Sequence, residues 1–123
     1  MNFNQENVIE YEIIRKIYLS FCDYLETKPH DEKHQIITEM NLYSNQVLNN
    51  TQFDENNEIE LQALRQHLRT EEKFRTFLAC YKILNNTRET IEYRQQILNM
   101  RFNTVLFEEG FELFNLLSNN SLK

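Results

Sequence analysis

The run Ile14-Arg15-Lys16-Ile17-Tyr18-Leu19-Ser20-Phe21-Cys22-Asp23-Tyr24-Leu25-Glu26-Thr27-Lys28-Pro29, residues 14–29, reads as a helix that stops at a proline. Ile14, Ile17, Tyr18, Phe21, Cys22 and Leu25 follow the i, i+3, i+4, i+7, i+8, i+11 pattern, which places them on one helical face. Glu12, Arg15, Lys16, Asp23 and Glu26 take the opposite face. The pattern predicts a first helix from about residue 7 to residue 27. Asn7 is a suitable N-cap, and Glu10 stands three residues on, as in a capping box. Pro29 has a locked φ and no N–H, which suits the first position of a new helix. Asp31 and Glu32 follow where carboxylates complement the helix dipole. A second helix is predicted to about Leu48, with Ile36, Ile37, Met40, Tyr43, Val47 and Leu48 facing inward. The Thr27–Lys28 corner is short, so these two helices should form an antiparallel hairpin.

Glycine content points the same way for the rest of the chain. The 123 residues hold one glycine, Gly110, and one proline, Pro29. Average usage would supply roughly eight and six. Hairpin turns, bulges and phosphate loops rely on glycine, so an all-α chain with Asn-rich connections is expected. Residues 49–57, rich in Asn, Asp and Thr, form the clearest loop, because their side chains compete for backbone hydrogen bonds. A third helix should begin near Glu58 with Leu61, Leu64 and Leu68 as its stripe. The stripe of Phe74, Phe77, Leu78, Tyr81 and Leu84 is out of step with it. A break near Thr70, with Thr70 as a cap, is therefore favoured over one helix from 58 to 84. Asn86 and Glu89 have capping-box spacing. The last helix should carry Ile91, Leu98, Phe102, Val105 and Leu106 to Gly110, which either ends or kinks it. Phe111, Leu113, Phe114, Leu116 and Leu117 beyond it should be buried, and residues 118–123 should fray. The expectation is a single helical domain over 1–123, a compact bundle of five or six helices opened by the antiparallel hairpin.

Bulk composition narrows the function. Hydrophobic residues make up 41%, with nine Phe and six Tyr, enough for a core. No basic-then-apolar leader and no membrane-length apolar run is present. Cys22 and Cys80 read as reduced, buried small hydrophobes, so a cytoplasmic location is expected. The net charge is −6. Acids dominate residues 1–64 and 102–123, and bases dominate 65–101. Such asymmetry bears on electrostatic partners rather than on fold.

Four groups of residues are candidates for chemistry. His30 and His34 lie four apart, as in a zinc-binding helix, with Asp23 or Glu26 as conceivable third ligands. Asp31 stands where the protease pattern has Glu, and the first turn is charge-rich, so this group reads as a solvated face. Arg65, Arg69 and Lys73 would form one stripe if their helix continued, with Arg88, Arg94 and Arg101 beyond it and Tyr81 and Tyr93 nearby. That outlines a nucleic-acid face, but the acidic chain opposes it. Arg94 and Arg101 are expected to pair with acids of the first two helices. Cys80 with His67 is a conceivable dyad that nothing activates. The acidic groups remain: Asp54, Glu55, Glu58 and Glu60 around the loop, Glu6 and Glu10 on the first helix, and Glu108, Glu109 and Glu112 around Gly110. Carboxylates on one surface favour a basic partner, and Phe53 or Tyr24 could anchor it.

By elimination and charge, a non-catalytic interaction protein is expected, without cofactor, metal or small-molecule substrate. The leading reading is an acidic inhibitor of a basic toxin enzyme such as a nuclease, as immunity proteins are. Its expected partner-binding residues are Phe53, Asp54, Glu55, Glu58, Glu60, Glu6 and Glu10. The alternatives are a helical subunit of a larger bacterial or phage complex, and a nucleic-acid-binding regulator using the Arg65–Arg101 face.

Overall fold

The computed structural model describes residues 5–49, 56–66, 68 and 70–121, the side chains of 6, 120 and 121 excepted. Six helices are present among them: α1 (Gln5–Glu26), α2 (His30–Asn49), α3 (Glu58–Arg65), α4 (Glu72–Ile83), α5 (Arg88–Leu98) and α6 (Thr104–Ser121). No strand occurs among the described residues. None of the described helices is long and apolar enough to cross a membrane.

α1 and α4 are the central elements. α1 packs against α6 most extensively and also meets α4 and α5, while α4 is flanked by α2 and α6. α1 and α2 touch only slightly, so their contacts do not establish the expected hairpin. The reason is visible in the second helix. Its buried positions, Ile36, Met40 and Val47, serve the interface with α4. Leu48, expected to face inward, is exposed. The whole α1 stripe, Ile14, Ile17, Tyr18, Phe21, Cys22 and Leu25, is buried as its spacing requires.

Aromatic rings fill the centre. Tyr18 meets Phe77 edge-on at 5.8 Å and Phe114 at 5.1 Å. Phe74, Phe102 and Phe107 form a second group, with Phe74 4.7 Å from Phe102 and 5.0 Å from Phe107. Edge-to-face pairs of this kind add about 0.5–1.5 kcal/mol beyond the area they bury. The Tyr18 hydroxyl, deep in the core, donates to the Lys73 carbonyl at 2.9 Å.

Several helix ends differ from the sequence reading. α1 begins at Gln5, so Asn7 lies inside it and Glu10 closes no capping box. Pro29 precedes α2, and its carbonyl accepts the first helical bond, from Lys33 N–H at 3.0 Å. α3 starts as expected, with the Asn57 side chain accepting from Ile59 and Glu60 N–H at 3.1 and 3.3 Å. The break between α3 and α4 is present, but Thr70 caps nothing; Glu71 holds the N-cap position without a side-chain bond. Asn86 adopts a left-handed φ of 64°, which Asn tolerates. The N-cap of α5 therefore falls one residue later, at Thr87, whose hydroxyl accepts from Thr90 N–H. The predicted last helix is two helices. Residues 99–103 interrupt it, with Phe102 at φ 55°. α6 starts where the Asn103 side chain accepts from Val105 N–H at 3.0 Å.

Gly110 neither ends nor breaks a helix; α6 runs through it. A Cβ there would stand 2.5 Å from Ile14 Cγ2 and 3.1 Å from Tyr18 Cε2. The missing side chain lets α6 approach α1 closely. The stretch after it is only partly buried. Phe114 is in the core, whereas Leu116 is 62% exposed. α6 also stays helical to Ser121, where fraying was expected.

Candidate functional site

Glu10 and Glu60, expected on a partner-binding surface, are turned inward. Glu10 is 6% exposed. Its Oε1 accepts from the backbone N–H of Arg101 at 2.7 Å and of Phe102 at 3.2 Å. These N–H groups lie in the connection between α5 and α6, where no helical ladder satisfies them. A carboxylate accepting two such bonds is a strong, charge-assisted contact. It ties α1 to that connection and helps hold Phe102 in its left-handed conformation. Beside it runs a cleft of about 320 Å³. Ile13 and Met100 give it an apolar floor, and Asn7, Gln96 and Asn99 bring amides.

Glu60 is 5% exposed and stands 3.7 Å from the Lys82 ammonium, which also lies 4.7 Å above the Tyr43 ring. This group ties α3 to α4 and α2. Glu58 is exposed and reaches Arg94 of α5 at 3.8 Å. An exposed pair of this kind contributes about 0–1 kcal/mol. Arg94 thus pairs with α3, not with the first two helices. Arg101 meets α1 through its backbone N–H to Glu10. Phe53, Asp54 and Glu55 lie outside the described residues, as does the Glu6 side chain.

The basic stripe is divided. The chain leaves the helix after Arg65 and resumes it at Glu72, so Arg65 and Lys73 are not on one helix. His67 and Arg69 lie outside the described residues. Arg88 pairs with Glu92 at 3.7 Å, and Lys73 lies 5.8 Å above the Phe111 ring. The Arg75 guanidinium donates to the Thr70 carbonyl. Lys73, Arg75, Lys82, Arg88 and Arg94 are therefore engaged within the fold.

Cys22 and Cys80 are both buried free thiols. Burial pushes Cys22 up to about 12, with smaller contributions from Asp23 and Glu26. Burial likewise raises Cys80, whose S–H donates to Met40 Sδ at 3.7 Å. A thiol held protonated is a poor nucleophile. No group of three or more His, Cys, Asp or Glu side chains converges as a metal site among the described residues.

One part of the acidic set does share a surface. At about 100° per residue, Glu108 and Glu112 point away from Gly110 and hence away from α1. Both are exposed, and neither is in an ion pair among the described residues. Val105 and Leu116 extend the same stripe and are 41% and 62% exposed. Sequence spacing alone identifies the stripe once Gly110 is known to face α1. A glycine taken to end or kink the helix gives no such reference direction, so the stripe is not evident from the sequence.

No family model matches this chain, and no curated protein or solved structure matches it either.

Proposed function

We propose that the chain is a non-catalytic cytoplasmic interaction protein, an acidic inhibitor that neutralises a basic toxin enzyme such as a nuclease. The observation that carries this reading is the outer stripe of α6. Glu108 and Glu112 stand there between two exposed apolar side chains, on a helix held against α1 over its opposite face. Carboxylates speed encounter with a cationic surface and select against acidic ones. Flanking apolar groups add desolvated contact area once the partner is seated. Carboxylates on this stripe would stand in for substrate phosphates in a cationic cleft. The engagement of Arg88, Arg94 and Lys82 by acids of the same chain weighs against the nucleic-acid reading. Exposed Val105 and Leu116 would also serve a helical subunit of a larger complex, which is the second reading.

The test is growth of a bacterial host that expresses the gene immediately upstream of this one in its native locus, with and without this protein. The inhibitor reading expects toxicity alone and growth together. It also expects Glu108→Lys with Glu112→Lys to abolish the relief while the protein stays folded. A neighbour that is not toxic, or whose toxicity persists, refutes inhibition of that neighbour and favours the subunit reading. Relief that survives the double substitution moves the contact elsewhere, with the acids at Asp54, Glu55 and Glu58 next.

A further inference from the structure

The first turn of α2 carries a feature that the proposed inhibitor role does not use. His30 and His34 are both exposed. Their rings are in edge contact, with centroids 4.6 Å apart. The sequence gives only the spacing, which places two imidazoles on one helical face. The structure adds that both side chains lean toward each other rather than apart into solvent.

We propose that His30 and His34 form a two-imidazole binding site for a divalent transition-metal ion of the zinc class. Imidazole nitrogens bind zinc at about 2.0–2.1 Å, so two nitrogens on one ion lie within roughly 4 Å of each other. Rings with centroids at 4.6 Å reach that arrangement by side-chain rotation, without movement of the helix. Neutral imidazole suits zinc, copper and nickel, whereas magnesium and calcium prefer oxygen. The N-terminal end of a helix disfavours a cation, and Asp31 and Glu32 in the same turn offset this. Two protein ligands leave two tetrahedral positions, which water fills. The site therefore holds its ion reversibly, and a side chain from another molecule can enter those positions. It lies at the corner between α1 and α2, on a different element from the α6 stripe.

The experiment is calorimetric titration of the tag-free full chain with zinc chloride, at neutral pH and in a buffer that does not bind zinc. One zinc per chain is expected, with a dissociation constant in the micromolar range. His30→Ala and His34→Ala should each weaken binding by at least about tenfold, or 1.4 kcal/mol, and His67→Ala should leave it unchanged. Both positions are exposed, so far-UV circular dichroism should show every variant folded. Magnesium in place of zinc should give no heat. No binding at millimolar zinc overturns the proposal, as does binding that survives both single substitutions or is lost with His67.

Discussion

Gly110→Ala should destabilise the fold, although alanine is the better helix former. In a helix interior the exchange ordinarily gains about 0.8–1 kcal/mol. Here the new methyl would stand 2.5 Å from Ile14 Cγ2, with Tyr18 ring carbons at 3.1 and 3.3 Å. Ordinary contact begins near 3.4 Å, so about 1 Å must be found. Ile14 is fully buried and β-branched, which leaves it essentially one rotamer in a helix. Tyr18 is equally buried, and its hydroxyl is held by the Lys73 carbonyl. The remaining response is for α6 to move away from α1, across the largest interface of the bundle. Overpacking of this kind costs about 1–3 kcal/mol, and a clash this close belongs at the upper end. The net loss is about 2 kcal/mol. Unfolding entropy is about 2.1 cal/mol/K per residue, so over this chain Tm should fall by roughly 8 °C. Thermal and urea unfolding followed by far-UV circular dichroism measure both quantities. Ile14→Ala alone should cost about 2–5 kcal/mol. The double variant should cost less than the sum of the singles, since the alanine methyl at 110 fills space left at 14. A rise in Tm for Gly110→Ala refutes the close-contact argument, as does additivity within about 0.5 kcal/mol.

Glu10→Ala should cost about 2–3 kcal/mol in urea unfolding, because two N–H groups of the α5–α6 connection lose a charged acceptor. Glu10→Gln keeps one oxygen and should cost less than Glu10→Ala in the same assay. Cys22 and Cys80 should resist a thiol-specific disulfide reagent in the native protein at mildly alkaline pH and react fully in denaturant. Both thiols are raised on folding, by burial first, so their contribution is complete below the unfolded value near 9.0 and is lost as pH rises above it. Urea midpoints should therefore fall above about pH 9 in the parent and fall less steeply in Cys22→Ala, whose thiol no longer titrates. Asn57→Ala should cost about 1 kcal/mol through loss of the α3 cap, read as a lower urea midpoint at unchanged slope.

The helices with regular apolar spacing were legible in the sequence. The α1 stripe is buried residue for residue, and the six-residue step from Leu68 to Phe74 marks the break between α3 and α4. What could not be read was set by contacts distant in sequence. Residues 99–103 contain neither glycine nor proline, and Phe102 takes a left-handed φ that its residue type disfavours. Glu10, more than ninety positions away, supplies the acceptor that stabilises this turn. The capping box suggested by the Asn7–Glu10 spacing is absent because α1 already runs from Gln5, which leaves the Glu10 carboxylate for this distant turn. Asn103 ahead of Thr104-Val105-Leu106 was a legible N-cap signal, overshadowed by Gly110. Among the candidate acids, charge type was readable but direction was not. Glu60 sits between the buried Ile59 and Ala63 and is drawn in by Lys82 from another helix. Glu108 and Glu112 take their outward direction from the close contact at Gly110.

The pairing of α1 with α6 also sets an order of events at the ribosome. Roughly 80 residues lie between the end of one helix and the start of the other. At about 5–20 residues per second, α1 emerges roughly 4–16 s before its main partner exists. Throughout that interval the nascent chain displays Ile14, Ile17, Tyr18 and Phe21 with no α6 to cover them. α4 arrives earlier and can shelter part of this face, but the Gly110 contact closes last. Synthesis therefore passes through a stage in which an aromatic-rich helix is available to chaperones and to neighbouring chains. The speed of translation over the second half of the message, rather than native stability alone, governs how long that exposure lasts.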